Sequence, residues 1–199
     1  MRIAAVIVAA GQSSRFDGGN KLLADLDGVP LIRHAARAVV EARVADAVLV
    51  VPADHAAIVS AAGDGPWSVV VNEDTSAGLS SSIRAGVAAL DPSIDGALIV
   101  LADMPFVTAE LIAQLCETFA AHDGKRIVFP ATRDGRQSNP VLWPHALFPA
   151  LLQLSGDKGG KTLLDAHPDL HAPVMLGNDA AAFDVDTESD LAHAVKARS

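Results

Sequence analysis

The sequence predicts an α/β fold, a three-layer α/β/α sandwich built on a mostly parallel, doubly wound sheet. Strand-length apolar runs recur along the chain, helical patterns separate them, and the loops rich in glycine, serine and charge fall where those runs end. Near-continuous apolar runs belong to strands covered on both faces, as parallel strands are.

In chain order, the first strand is IAAVIVA from Ile3, followed by a helix over Leu31 to Glu41. A strand over Ala47 to Val51 precedes a helix over His55 to Ala62, and a strand over Ser68 to Val71 precedes one over Leu79 to Leu90. GALIVLA, Gly96 to Ala102, is expected as a central strand. The next helix, Thr108 to Ala121, opens with a threonine whose hydroxyl is free to cap an N–H. RIVFPA near Ile127 reads as a further strand, and Pro130 to Pro144 as loop with a short strand. Lys158 to Ala166 reads as a short helix opened by the glycines of SGDKGGK. In FDVDTESDL, Asp184 and Asp186 alternate about Val185 on a short strand, and a helix begins near Thr187. No repeat or low-complexity linker divides the chain, so residues 1–199 are expected as a single domain.

Composition narrows the function. A formal charge of −9, with fifteen Lys and Arg and no basic block, argues against nucleic acid and anionic membrane as partners. No run approaches the roughly 18 to 20 apolar residues of a membrane span, and Met-Arg-Ile leads straight into a core strand without the pattern of a signal peptide. A cytoplasmic protein is expected. Cys116 stands alone in a helical stretch, so neither a disulfide nor a thiolate metal site is available, and it reads as a small buried hydrophobe. The seven histidines fall mainly on helices or surface loops without metal-ligand spacing.

The opening carries the clearest functional signal. The first strand runs into AAGQSSRFDGGNK, where backbone N–H groups with Arg15 and Lys21 can converge on a polyphosphate. The spacing is not that of a P-loop, because Lys21 follows Asn20 and precedes Leu22 instead of Ser or Thr. Nor is it a dinucleotide fingerprint, since the glycines after Gly11 are Gly18 and Gly19.

Ligands of open α/β sheets bind at the carboxyl ends of the strands, and the unusual polar residues lie there. Asp103 ends GALIVLA and suits a Mg²⁺ ligand, or a turn or cap at the Pro105 to Thr108 corner. Asp186 either completes a metal site with Asp103 or caps the following helix, and Asp184 is structural or supporting. Ser80, Ser81 and Ser82 can present hydroxyls and N–H groups to a nucleobase or belong to a capped helix start; Arg84 reaches toward phosphate or structural carboxylates.

AAGQSSRFDGGNK, AGLSSSIRAGV, LADMP, GRQSNPVLW, GDKGGK and FDVDTESDL occur in the order seen in the MobA-like and MocA-like nucleotidyltransferases, which include the molybdenum cofactor cytidylyltransferases. Nearly the whole chain resembles that family. The resemblance implies an α/β sandwich that uses Mg²⁺ with a nucleoside triphosphate. It implies that Ala9, Ala10 and Gly11 line the nucleobase, that Arg15 and Lys21 contact the triphosphate, and that Lys21 stabilises transition-state charge. Gly78, Ser80, Ser81 and Ser82 match the second base-side segment, Asp103 the main Mg²⁺ ligand and Asp186 the second metal position. Gly156, Asp157 and Gly160 match an acceptor-side loop. The chain departs from the pattern at Phe16 to Asn20, at GRQSNP and at Lys161, where arginine is frequent. Ala-Ala-Gly with GLSSS resembles the cytidylyl branch, and an alanine beside the base limits the approach of a purine.

The implied reaction is attack of an acceptor phosphate on the α-phosphorus of CTP, expelling pyrophosphate, with molybdopterin as a candidate acceptor and a molybdoenzyme as a candidate partner; GTP or another nucleoside triphosphate, and a sugar or alditol phosphate acceptor, are the alternatives. Two rivals stand beside it. Asp184-Val185-Asp186 mimics the metal motif of glycosyl transfer from nucleotide sugars, and a binding protein could deliver a pterin or nucleotide without turnover.

Overall fold

The computed structural model describes residues 1–11, 13, 16 and 19–198. Its centre is a seven-stranded sheet made of β1 (Ile3–Val8), β4 (Asp46–Val51), β5 (Trp67–Val71), β6 (Gly96–Leu101), β7 (Ile127–Ala131), β8 (Val141–Pro144) and β9 (His171–Met175). A separate hairpin joins β2 (Asp25–Leu26) to β3 (Val29–Pro30). The sheet order is β5-β4-β1-β6-β8-β7-β9. All pairings are parallel except those of β8, which runs antiparallel to both β6 and β7.

β1 shows why the sheet is central. Its six residues are all buried, and alternate side chains serve opposite cores. Ile3, Ala5 and Ile7 join the layer beneath α1 (Leu31–Ala42), α2 (Ala56–Ala62) and α4 (Ala109–Ala121). Ala4, Val6 and Val8 join the layer beneath α3 (Leu79–Ala88), α5 (Phe148–Leu151) and α6 (Lys161–Ala166). Helices on both faces of one mostly parallel sheet make the expected three-layer sandwich. Alanines on β1 let the helices sit close, and Gly86 of α3 carries this furthest: an added Cβ there would lie 2.2 Å from Val6 Cγ1.

Three details differ from the sequence reading. β9 falls in a stretch assigned no strand, and β8 inserts antiparallel between β6 and β7. The stretch Asp184 to Asp186, expected as a short strand, is irregular chain without sheet partners, leading into α7 (Glu188–Arg198). That segment packs instead through Val185, which with Leu26, Leu31 and Ala194 forms a small third core. No helix among the described residues is long and apolar enough to cross a membrane.

Candidate active site

A cavity of about 310 Å³ opens at the carboxyl ends of β1 and β6. Its wall takes Ala10, Gly11 and Lys21 from the opening segment, Gly78 and Ser82 from the start of α3, and Asp103 and Asp186 from beyond β6 and before α7. Parallel strands deliver their C-terminal loops to one side, so segments far apart in sequence meet here.

Lys21 is the hub. It lies in a 3-10 turn opened by Asn20, whose side-chain oxygen accepts from Leu22 N at 3.0 Å. The Ser13 hydroxyl oxygen accepts from Lys21 N at 3.2 Å and fixes the turn from the other side. The side chain is buried, and its ammonium donates to Asp103 Oδ2 at 2.7 Å and to Asp186 Oδ1 at 2.8 Å. Burial alone would lower the lysine pKa, but the Asp103 carboxylate and then Asp186 outweigh it and hold the ammonium above its usual range.

Threonines cap the two neighbouring helices. Thr108 caps α4, accepting from Leu111 N at 3.2 Å. At α7, Asp190 Oδ2 accepts from Thr187 N at 2.8 Å and Thr187 Oγ1 accepts from Asp190 N at 3.2 Å, a reciprocal cap that leaves the Asp186 carboxylate to the site. Backbone pairing of Val185 N to Asp103 O at 3.0 Å sets the two aspartates side by side. Asp184 is exposed, with its carboxyl pushed above the usual range first by desolvation and then by the charges of Asp103 and Asp186.

The donor set suits a hard divalent cation. Asp103 Oδ1 is buried without a hydrogen-bond partner among the described residues, although a buried carboxylate oxygen ordinarily has one. Two carboxylates are what Mg²⁺ usually takes from protein, with phosphate oxygens and water completing the octahedron. No group of three or more His, Cys, Asp or Glu among the described residues forms an all-protein cage.

The remaining expected residues divide. Gly11, Ala10, Gly78 and Ser82 line the cavity. Ala9 lies in the core beneath α1, its N–H held by Val50 O at 2.8 Å. Ser81 is buried and turned to structure: it donates to Gly78 O at 2.8 Å and accepts from Asn72 Nδ2 at 2.8 Å. Ser80 is fully buried, its N–H directed to Gly156 O at 3.3 Å. Arg84 donates to the Leu154 carbonyl and so tethers the glycine-rich loop. Arg15 lies outside the described residues.

Sequence reasoning singled out none of Ser13, Thr75 and Ser76, which line this cavity, and Asp157, for which the resemblance implies an acceptor-side loop, lines it too. The run NEDTSAG between β5 and α3 was the available signal, being polar chain at a strand's carboxyl end. Beside this cavity lies a second of about 190 Å³, lined by Gln137, Asn139, Trp143, Lys158, Gly160 and Lys161 among others. Leu79 and Leu101 line both.

The model of the MobA-like NTP transferase domain matches residues 5–171. The chain belongs to that family. Asp186 lies beyond the matched residues, so its place in the site comes from the fold. This MobA-like domain is 29% identical over 196 residues to nicotine blue oxidoreductase of Paenarthrobacter nicotinovorans, covering 95% of this chain and 94% of that one. It is 36% identical over 139 residues to 2-C-methyl-D-erythritol 4-phosphate cytidylyltransferase of Streptomyces avermitilis, covering 65% of this chain and about half (54%) of that one. The solved structure of Rv0371c of Mycobacterium tuberculosis H37Rv in complex with manganese superposes with a TM-score of 0.81 at 23% identity, covering 98% and 99% of the two chains. That likeness establishes the shared fold.

Proposed function

We propose that this MobA-like domain transfers CMP from CTP to a phosphorylated acceptor, with molybdopterin as the leading candidate, and releases pyrophosphate. The observation that carries the reading is the Lys21 ammonium set between Asp103 and Asp186 in the wall of the cavity. Asp103 and Asp186 would hold Mg²⁺, which when bound supplies neutralisation of the triphosphate charge. Lys21 is the preorganised cation that stabilises charge as pyrophosphate leaves. The Gly11 backbone and the hydroxyls of Ser13 and Ser82 are cavity groups able to orient the nucleotide. An acceptor phosphate is ionised near neutral pH, so this chain needs no general base for the attack. The second cavity, with Lys158 and Lys161 at its rim and Trp143 in its wall, suits an anionic acceptor. CTP is favoured over GTP by Ala10, a residue of the cavity wall at which glycine would leave more room. In this reading the protein works in the cytoplasm and its product serves a molybdoenzyme.

The test is a thermal-shift comparison of CTP, GTP, ATP and UTP with Mg²⁺, on the natural chain and on Asp103→Asn. A ligand at a hundred times its Kd adds about 2.7 kcal/mol of stability. Selective stabilisation by CTP that is lost in Asp103→Asn supports the proposal, and Asp103→Asn should also abolish pyrophosphate release while keeping the fold. A different winning nucleotide replaces CTP.

The likeness to nicotine blue oxidoreductase along nearly the whole chain favours a second reading, an oxidoreductase whose reductant binds in the same cavity. Stabilisation by NADH or NADPH, with none by nucleoside triphosphates, selects it.

A further inference from the structure

The loop around Gly156 to Gly160 is the partition between the two cavities. Gly156 O accepts from Ser80 N at 3.3 Å. Gly159, at φ +54°, is pressed to α3 so closely that an added Cβ would lie 2.7 Å from Leu79 Cδ2. At Gly160 an added Cβ would lie 2.6 Å from Trp143 Cζ2. Neighbouring side chains leave this clamped loop in opposite directions. Asp157 lines the first cavity, while Lys158 and Lys161 line the second.

Asp157 enters the first cavity through a gap that only glycine provides. A Cβ on Gly78 would sit 2.0 Å from Asp157 Oδ1 and 2.9 Å from its Cα. Unlike Asp103 and Asp186, which share Lys21, Asp157 has no ion pair or hydrogen bond with the described residues. An ionised carboxylate only accepts hydrogen bonds and repels phosphate. A nucleotide with its phosphates at Lys21 therefore meets Asp157 with a donor group of its nucleoside.

We infer that Asp157 is a specificity-determining residue. It accepts a hydrogen bond from the nucleoside, either a ribose hydroxyl or the exocyclic amino group of the base, and its charge keeps the phosphates at the Lys21 end. The inference rests on the cavity being a nucleotide site, as proposed above.

The test is isothermal titration of the full chain and of Asp157→Ala and Asp157→Asn with Mg²⁺ and CTP, 2′-deoxy-CTP or UTP, with melting temperatures taken without ligand. Asp157→Ala should weaken CTP by about tenfold or more, the scale of one hydrogen bond to a charged acceptor, with its unliganded melting temperature unchanged. A ribose contact shows as a preference for CTP over 2′-deoxy-CTP that Asp157→Ala loses. An amino contact shows as a preference for CTP over UTP lost in the same way. Asp157→Asn, which keeps a carbonyl acceptor, should retain part of that preference. Variants that bind all three nucleotides as the natural chain does overturn the inference and leave the nucleotide site standing. A natural chain that binds none of the three, and neither GTP nor ATP, overturns both.

Discussion

Lys21 bridges two carboxylates that would otherwise face each other across the same small volume. Lys21→Ala leaves Asp103 and Asp186 without that cation and, in the proposed transfer, removes the charge that meets the departing pyrophosphate. Pyrophosphate release should fall by on the order of 10² to 10³, the scale of one preorganised stabilising group; an unchanged rate would take Lys21 out of the chemistry. Cys116 makes the opposite case of a group kept from acting. Burial first, and the neighbouring Glu117 charge second, push its thiol from 9.0 to about 11. The fold thus favours the neutral thiol, and the stability this confers is lost as pH rises above 9.0 toward about 11. Iodoacetamide at pH 8 should label Cys116 in the native chain on the order of 100-fold more slowly than in the unfolded chain, because the thiolate reacts. Equal rates would mean that the thiol is not shielded. At this scale the sequence was legible where residue type and place agreed, as for Lys21 and Asp103. Ser80 and Ser81 were not separable from Ser82 by type. Only the helical rotation at the start of α3, set by Asn72, decides which hydroxyl meets the cavity.

That rotation is a property of an element. Asn72, buried just after β5, donates from Nδ2 to Ser81 Oγ at 2.8 Å and to Ser82 Oγ at 3.0 Å, pinning α3 to the strand before it. Asn72→Ala removes both bonds from a buried site and should cost about 1–3 kcal/mol in urea unfolding, with weaker nucleotide binding because Ser82 is released. Thr108→Ala, which removes the cap of α4 and does not line the cavity, should cost about 1 kcal/mol without touching binding. Elements with long apolar runs were readable at once, β1 and β6 above all. β9 hid because Pro173 interrupts its pattern, and an edge strand tolerates the missing N–H. The β2–β3 hairpin was signalled only by Asp27-Gly28, both at positive φ as a tight two-residue turn requires. The antiparallel course of β8 leaves no mark on side-chain alternation, so strand content was legible while strand direction was not.

At the scale of the whole molecule, the two large cores on either face of the sheet are nearly complete by β9, and the third core depends on Val185 and Ala194 from the C-terminal segment. A chain ended at Asn178 keeps all seven strands of the sheet but lacks Asp186. It should retain its β and helical circular dichroism at a lower melting temperature, and lose Mg²⁺-dependent stabilisation by nucleotide. Persistence of that stabilisation would remove Asp186 from the site.

The bond from Lys21 to Asp186 joins residues 165 apart in sequence, and that to Asp103 spans 82. Closing such loops carries an entropic cost before any contact rewards it, so distant pairs form late. During synthesis the strands that frame the cavity can pair while its second carboxylate is still unmade. The pocket has shape before it has its second carboxylate, and the appearance of metal-dependent nucleotide binding in a refolding experiment would therefore time the end of folding.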